Sequence, residues 1–346
     1  MIPLHPYRPA ADLSKFYVIT PISNPRRFAR RYELYFVFRE MCKAAGVNLI
    51  TIEQAFGDRP YMVTHHSDPM NIQVRTVEEL WHKENMINMA ASHAMRMGAR
   101  EIAWVDADVR PLNDDRTWFE ETWHALQHYE FVQMGESIVD LDLRGNIKGA
   151  PQNLFMANYV KLGSPDAARL KQISIEAASS YYPGQSKSGQ ELFIGHPGGA
   201  WACNVDAFNK VGGLIDYSVL GSGDHYMAYA LLGTLEASRL GVAVTSSYEK
   251  RLLAWQTSAE HWIKRDVGYV PGTISHDFHG PKSKRGYSSR WRILTENGFD
   301  PDKDLKRDAQ GLLQLETIEP RQIKMRDQIR SYFASRLEDS TEGGYG

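Results

Sequence analysis

The sharpest chemistry in this sequence lies in Trp104-Val105-Asp106-Ala107-Asp108-Val109. An apolar run ends in two carboxylates spaced two residues apart. At a strand end, that spacing can aim one or both acids at a common point. Hard carboxylate oxygens suit Mg2+ or Mn2+, and such an ion carries a diphosphate. Two solvated loop acids would leave the same letters. A second group is Ile274-Ser275-His276-Asp277-Phe278-His279-Gly280-Pro281-Lys282. A histidine can complete a metal site, and a lysine or arginine can hold phosphate. Ordinary core or surface histidines are the competing reading.

Glycine pairs mark the third group: Gly198-Gly199-Ala200-Trp201-Ala202, Val211-Gly212-Gly213, then Gly221-Ser222-Gly223-Asp224. Paired glycines let a ligand approach the backbone closely. Asp224 opens a helix, where it either caps the first turn or serves as a general base toward an acceptor hydroxyl. The fourth group, Trp81-His82-Lys83-Glu84-Asn85, starts a helix on which Lys83, Ile87 and Ala90 or Ala91 share a face. Polar groups there either reach a nucleotide or form a solvated face.

These residues need a frame. Residues 16–22, 47–53 and 101–105 read as buried strands, with helices at 28–45 and 79–97 and short strands near 61–63 and 72–75. Strand–helix alternation predicts a mostly parallel sheet with helices on both faces, whose ligands sit beyond the carboxyl ends of the strands. Beyond residue 135 the pattern loosens. Residues 144–152 and 183–190 read as loops, 165–179 and 302–337 as helical, and the 340–346 tail as flexible.

The chain has 346 residues, 42% of them hydrophobic and 24% charged, enough to bury a core without staples. Its net charge of −2 argues against wholesale coating of nucleic acid. Two basic runs survive the averaging: Arg26, Arg27, Arg30 and Arg31, and Lys282, Lys284, Arg285, Arg290 and Arg292. Cys42 and Cys203 have no CxxC partner and read as small buried residues. No apolar run reaches membrane-spanning length and the N-terminus lacks a signal-peptide core, so a cytoplasmic protein is expected.

The order of the motifs says more than any one of them. A strand ending in TPISNPRR, a second ending in Glu53, the WHKENMIN helix, the DxD strand, GGAWA…VGG…GSGD and HDFHG with its basic loop follow one another over residues 16–292. This order resembles the GT-A superfamily of nucleotide-sugar glycosyltransferases, and looks like glycosyltransferase-like proteins of phages and bacteria. The resemblance implies an α/β GT-A-like domain over 1–292, with a nucleotide-sugar half (16–135) and an acceptor half (136–292). A helical extension (293–338) and a tail (339–346) follow.

Site roles follow from the same resemblance. Asp106 and Asp108 would be the DxD pair, with Asp108 the direct metal ligand. One of His276 and His279 would complete the site for Mn2+ or Mg2+, and the strand-end position favours His276. Lys282 would neutralise the departing diphosphate. Thr20, Pro21, Arg26 and Glu53 would border the nucleoside and Lys83 would approach the donor. Gly199 and Trp201 would line the acceptor side, with Trp201 a platform for a sugar ring. Asp224 would be the base of an inverting transfer. Glu53 stands where many members carry a DDGS-type ending, so UDP is expected by family habit alone. Three acceptors fit: a saccharide, a protein or small molecule, and a hydroxymethylated base in phage DNA. A nucleotidyltransferase would also use paired acids and a metal, but its glycine-rich phosphate loop is missing. A non-enzymatic nucleotide-sugar-binding module is the remaining reading.

Overall fold

The computed structural model describes residues 9–173, 194–238, 244–286 and 290–345. The apolar runs fold as strands: β1 (Phe16–Ser23), β2 (Asn48–Phe56), β3 (Asn71–Thr76) and β4 (Glu101–Val105), interleaved with helices α1 (Ala29–Ala45) and α2 (Lys83–Arg96). Beyond β4 come β5 (Val109–Pro111), helix α3 (Asp115–Leu126), β6 (Phe131–Gln133), β7 (Ser137–Leu141) and β8 (Ile147–Asn153). Then follow β9 (Ala200–Asn204), β10 (Val267–Tyr269) and β11 (Thr273–His276).

Seven strands form the central sheet in the order β10-β6-β9-β4-β1-β2-β3. All pairs are parallel except those of β9, which runs antiparallel to β4 and β6. The expected α/β class, a mostly parallel sheet flanked by helices, is the one found. Strand alternation feeds two cores. Tyr17, Ile19, Ile102 and Trp104 pack with Ile87, Ala90 and Ala91 of α2. Phe16, Val18, Ala103 and Val105 pack with Phe38 and Met41 of α1 and Trp118 and Phe119 of α3. Both cysteines are buried and free, as read from the sequence. No helix among the described residues is long and apolar enough to cross a membrane.

A second sheet, β5-β11-β7-β8, is the one that builds the site. Strand β11 pairs antiparallel with β5, placing His276 opposite Val109, and parallel with β7, placing His276 opposite Asp140. The residue directly after the DxD turn is thereby tied to the histidine strand.

Several boundaries differ from expectation. Residues 61–63 form no strand, and 144–152 include the hairpin strand β8, exposed along its whole length. With no buried face, β8 carries no hydrophobic pattern to betray it. Residues 302–337 are not one helix. A hairpin of β12 (Leu305–Arg307) and β13 (Leu313–Leu315) precedes the helix Pro320–Ser335. The helix expected at 165–179 is present at 167–173, and the rest of it, like the 183–190 loop, lies outside the described residues.

The C-terminal tail is built into the fold. The Asp339 carboxylate accepts from the Ala29 and Arg30 amides, both at 2.9 Å, and so caps the otherwise uncapped start of α1. The Leu143 amide donates to Gly344 O at 2.7 Å. Gly280 has φ +81°, and a Cβ there would press on the Leu337 and Glu338 backbone. Only glycine permits that close approach.

Candidate functional site

The Asp106–Asp108 turn closes directly after β4, with the Val109 amide donating to Asp106 O at 2.9 Å. The Asp106 amide donates to Gly199 O at 3.1 Å, and the Asp277 amide to Asp108 O at 2.7 Å. Arg110 grips Asp277 through two bonds of 2.9 and 2.8 Å. Backbone pairing and one bidentate clamp therefore fix the acidic turn against the segment that carries both histidines.

Asp108 Oδ2 lies 2.6 Å from His279 Nε2 and 3.6 Å from His276 Nε2. Among the described residues, one ligand atom from each of these three can come within 4.8 Å of the others. Burial would raise the Asp108 carboxyl, but the nearby His279 and His276 outweigh it and hold it well below the usual range. Asp108 is ready to be an anionic ligand.

The two histidines differ in how their nitrogens are used. His276 Nδ1 lies 3.2 Å from Asp140 Oδ1, and its Nε2 lies 3.2 Å from Arg285 Nη1. Both ring positions have partners. His279 is 5% exposed, and neither ring nitrogen makes a hydrogen bond of sound geometry. Its 2.6 Å approach to Asp108 brings two atoms together with no hydrogen aligned between them. A buried imidazole with both nitrogens unpaired, touching a carboxylate, fits a cation that would sit between them. The residues present thus fit a divalent ion. The strand-end position expected of the ligand belongs to His276, whose two nitrogens both have partners, whereas those of His279 have none of sound geometry.

Glu338 closes the back of this cluster. It is 3% exposed and lies 3.4 Å from His279 Nδ1. Arg31 holds it through bonds of 2.5 and 2.8 Å, and Arg336 Nε sits 2.6 Å from it. Those two guanidiniums keep Glu338 well below the usual carboxylate range despite its burial.

Asp106 stands apart from the three, held by Lys83 at 2.6 Å. Burial raises its carboxyl, and Asp108 adds to that, even with Lys83 beside it. Lys83 opens α2 and shares a small cavity with Glu84, Gly198, Gly199 and Asp224. Asp224 is the second residue of the helix Gly223–Leu231, whose N-cap is Ser222 at φ +72°. Ser222 makes no side-chain cap bond; Asp224 accepts from the His225 amide through Oδ1 and turns Oδ2 toward Gly198, where a Cβ would collide with it.

Other expected site residues have structural duties. Thr20 is fully buried and donates to Val105 O at 3.0 Å, tying β1 to the strand before the acidic turn. Pro21 lies within β1 opposite Ile52. Glu53 is 3% exposed, and its carboxylate accepts from the Met62, Val63 and Thr64 amides and the Thr64 hydroxyl. It anchors the 62–64 loop through both of its oxygens. Arg26 is spent on Glu79 and on Arg330 O, both at 2.7 Å. Trp201 is 1% exposed and donates to Pro197 O, so its ring is core and not a stacking platform. Lys282 reaches Asp140 at 2.5 Å while half-exposed, so its charge is shared with the acid behind His276. Of its basic run, Arg285 and Arg290 are buried, and Lys284 and Arg292 face solvent.

Glu53→Gln tests the loop anchor. Oε2 alone receives three donors, so an amide oxygen can take its place only by turning its NH2 toward the Met62 amide. We expect a loss of about 2 kcal/mol and a melting temperature lower by a few degrees in calorimetry. An unchanged melting temperature contradicts the assignment.

No protein-family model matches this sequence, and no curated protein does. Solved structures do match. One is the catalytic domain of Drosophila beta1,4-galactosyltransferase 7 in complex with xylobiose, at 12% identity and a TM-score of 0.36, covering 90% of this chain and 98% of that one. A mutant of the same enzyme in complex with manganese, UDP-Gal and xylobiose matches at 12% identity and 0.38, with the same coverage. Mannosyl-3-phosphoglycerate synthase from Rubrobacter xylanophilus matches at 12% identity and 0.35, covering 88% and 86%. At such identities and scores the likeness assigns no activity to this chain, which must be read from its own site.

Proposed function

We propose that this chain is a metal-dependent glycosyltransferase, moving a sugar from a nucleoside diphosphate sugar to a hydroxyl acceptor. The observation that carries this reading is the Asp108–His276–His279 cluster at the carboxyl end of β4. Lys83 and Asp106 stand at the same strand end, with Asp224 on the cavity that Lys83 lines. Asp108 and His279 would hold the ion, with His276 beside them. Imidazole favours a transition-metal ion, so Mn2+ fits better than Mg2+. Bound there, the ion would supply positive charge for a departing diphosphate.

The protein's own residues divide the rest. Lys83 adds a cation on the donor side. Glu338 stands 3.4 Å from His279 Nδ1, close enough to orient the ring while Nε2 faces Asp108. Asp224 takes the acceptor proton as the new bond forms, which makes the reaction inverting. UDP is the nucleotide that the sequence resemblance favours. Of the three acceptor classes, a saccharide fits best. The burial of Arg285 and Arg290 leaves the second basic run without the continuous cationic face that a DNA acceptor would call for.

A panel of nucleotide sugars, incubated with and without Mn2+ and scored for released nucleotide, tests the reading. One donor should be hydrolysed slowly, and only with metal. No Mn2+-dependent release from any donor would overturn it. Two variants probe the parts. Glu338→Gln should weaken Mn2+ binding by about 10–100-fold, measured by electron paramagnetic resonance of free Mn2+, and unaltered affinity would remove Glu338 from the site. Gly198→Ala should push the Asp224 carboxylate aside. Transfer should then fall by at least about tenfold while calorimetry finds Mn2+ binding intact, and normal transfer would show that the acid tolerates displacement.

A further inference from the structure

Glu84 neighbours Lys83 in the first turn of α2, yet nothing so far uses it. It is 5% exposed, and its Oε2 is buried without a hydrogen-bond partner. Gly223, directly before Asp224, packs on it so closely that a Cβ there would touch the Glu84 carboxyl. The cavity shared by Glu84, Lys83, Asp224 and the Gly198–Gly199 backbone has a volume of about 10 Å3. That is room for one oxygen atom, a water or a hydroxyl, and not for a sugar ring. An acid buried this deeply without a partner costs stability that a solvated residue would avoid.

We propose that Glu84 is a specificity residue that receives one hydroxyl of the transferred sugar in this cavity, while the ring stays outside it. This rests on the glycosyltransferase reading and assigns a group of the donor to a named atom. Burial raises the Glu84 carboxyl to about 8, so near neutrality it is chiefly the acid form. A carboxylic acid can donate through its O–H and accept at its other oxygen. It can therefore pair twice with a single hydroxyl, and a sugar with that hydroxyl in the opposite configuration would leave the acid unpartnered. The position beneath Gly223 places the contact next to Asp224.

The test separates the sugar from the nucleotide. Calorimetry with Mn2+ measures UDP alone, then UDP-glucose, UDP-galactose and UDP-N-acetylglucosamine. In the parent chain, one sugar should improve on UDP by roughly five- to tenfold. In Glu84→Ala, that improvement should vanish while UDP affinity stays within about twofold. Deoxy analogues of the preferred donor guard against a variant that misfolds. One deoxy position should lose the same increment in the parent chain, and should cost nothing further in Glu84→Ala. A sugar increment that survives Glu84→Ala, or a parent chain with no sugar preference over UDP, overturns the inference and leaves the nucleotide reading standing. A parent chain that binds no UDP with Mn2+ counts against both.

Discussion

Asp108→Ala should abolish Mn2+-dependent nucleotide binding. Asp108 is the one carboxylate that both histidines face, at 2.6 and 3.6 Å. A methyl group cannot ligate, and the change leaves the two imidazoles with no carboxylate between them. Loss of an outer partner costs about 10–100-fold in metal affinity, so loss of a direct ligand should exceed that. Asp106→Ala is the informative control. Asp106 is paired with Lys83 and stands outside the three-residue cluster, so its loss should weaken nucleotide binding while much of the affinity for Mn2+ remains. Calorimetry with Mn2+ alone and with UDP separates the two. Equal effects at both positions would mean that the acids act as a symmetrical pair, contrary to the geometry.

Asp224→Asn should leave the fold and metal binding intact and lower transfer by roughly 10²–10⁴-fold. The substitution is conservative in shape. Asp224 Oδ1 accepts from the His225 amide at 2.8 Å, and an asparagine oxygen can take that bond. Ser222, at the N-cap position, makes no side-chain cap bond, so the His225 bond is the first-turn contact that asparagine keeps. What disappears is the ability to hold a proton taken from the acceptor. Steady-state transfer with the donor found in the panel, alongside circular dichroism, reads both halves. Normal transfer in Asp224→Asn would make the residue structural and favour a retaining reaction.

The parts of this protein written in local sequence were legible, and the parts made by long-range pairing were not. Residues 101–105 read as a strand because all five are buried, and the acids that follow it could be placed at its end from spacing alone. Which of the two acids ligates came from the family resemblance, which favoured Asp108. The partners of His276 were not legible, because strand ends are local, whereas Asp140 reaches His276 through the β7–β11 register and Arg285 from the turn at 282–285. Trp201 was expected as a sugar platform on the acceptor side, yet the β4–β9 pairing turns it into the core beside Trp104. Glu53 had the right strand position, but its partners lie nine to eleven residues away in a loop with no pattern. The tail was the largest omission. Its Ser, Gly and Glu content reads as flexible, and nothing in it announces that Glu338 and Asp339 are wanted by Arg31 and the start of α1.

The most direct measurement is anomalous scattering at the manganese edge from crystals grown with Mn2+ and UDP. The account predicts one strong peak within about 2.0–2.3 Å of an Asp108 carboxylate oxygen and of His279 Nε2, with the diphosphate oxygens completing its shell. UDP bound in the absence of such a peak, or an ion held away from both Asp108 and His279, would contradict it.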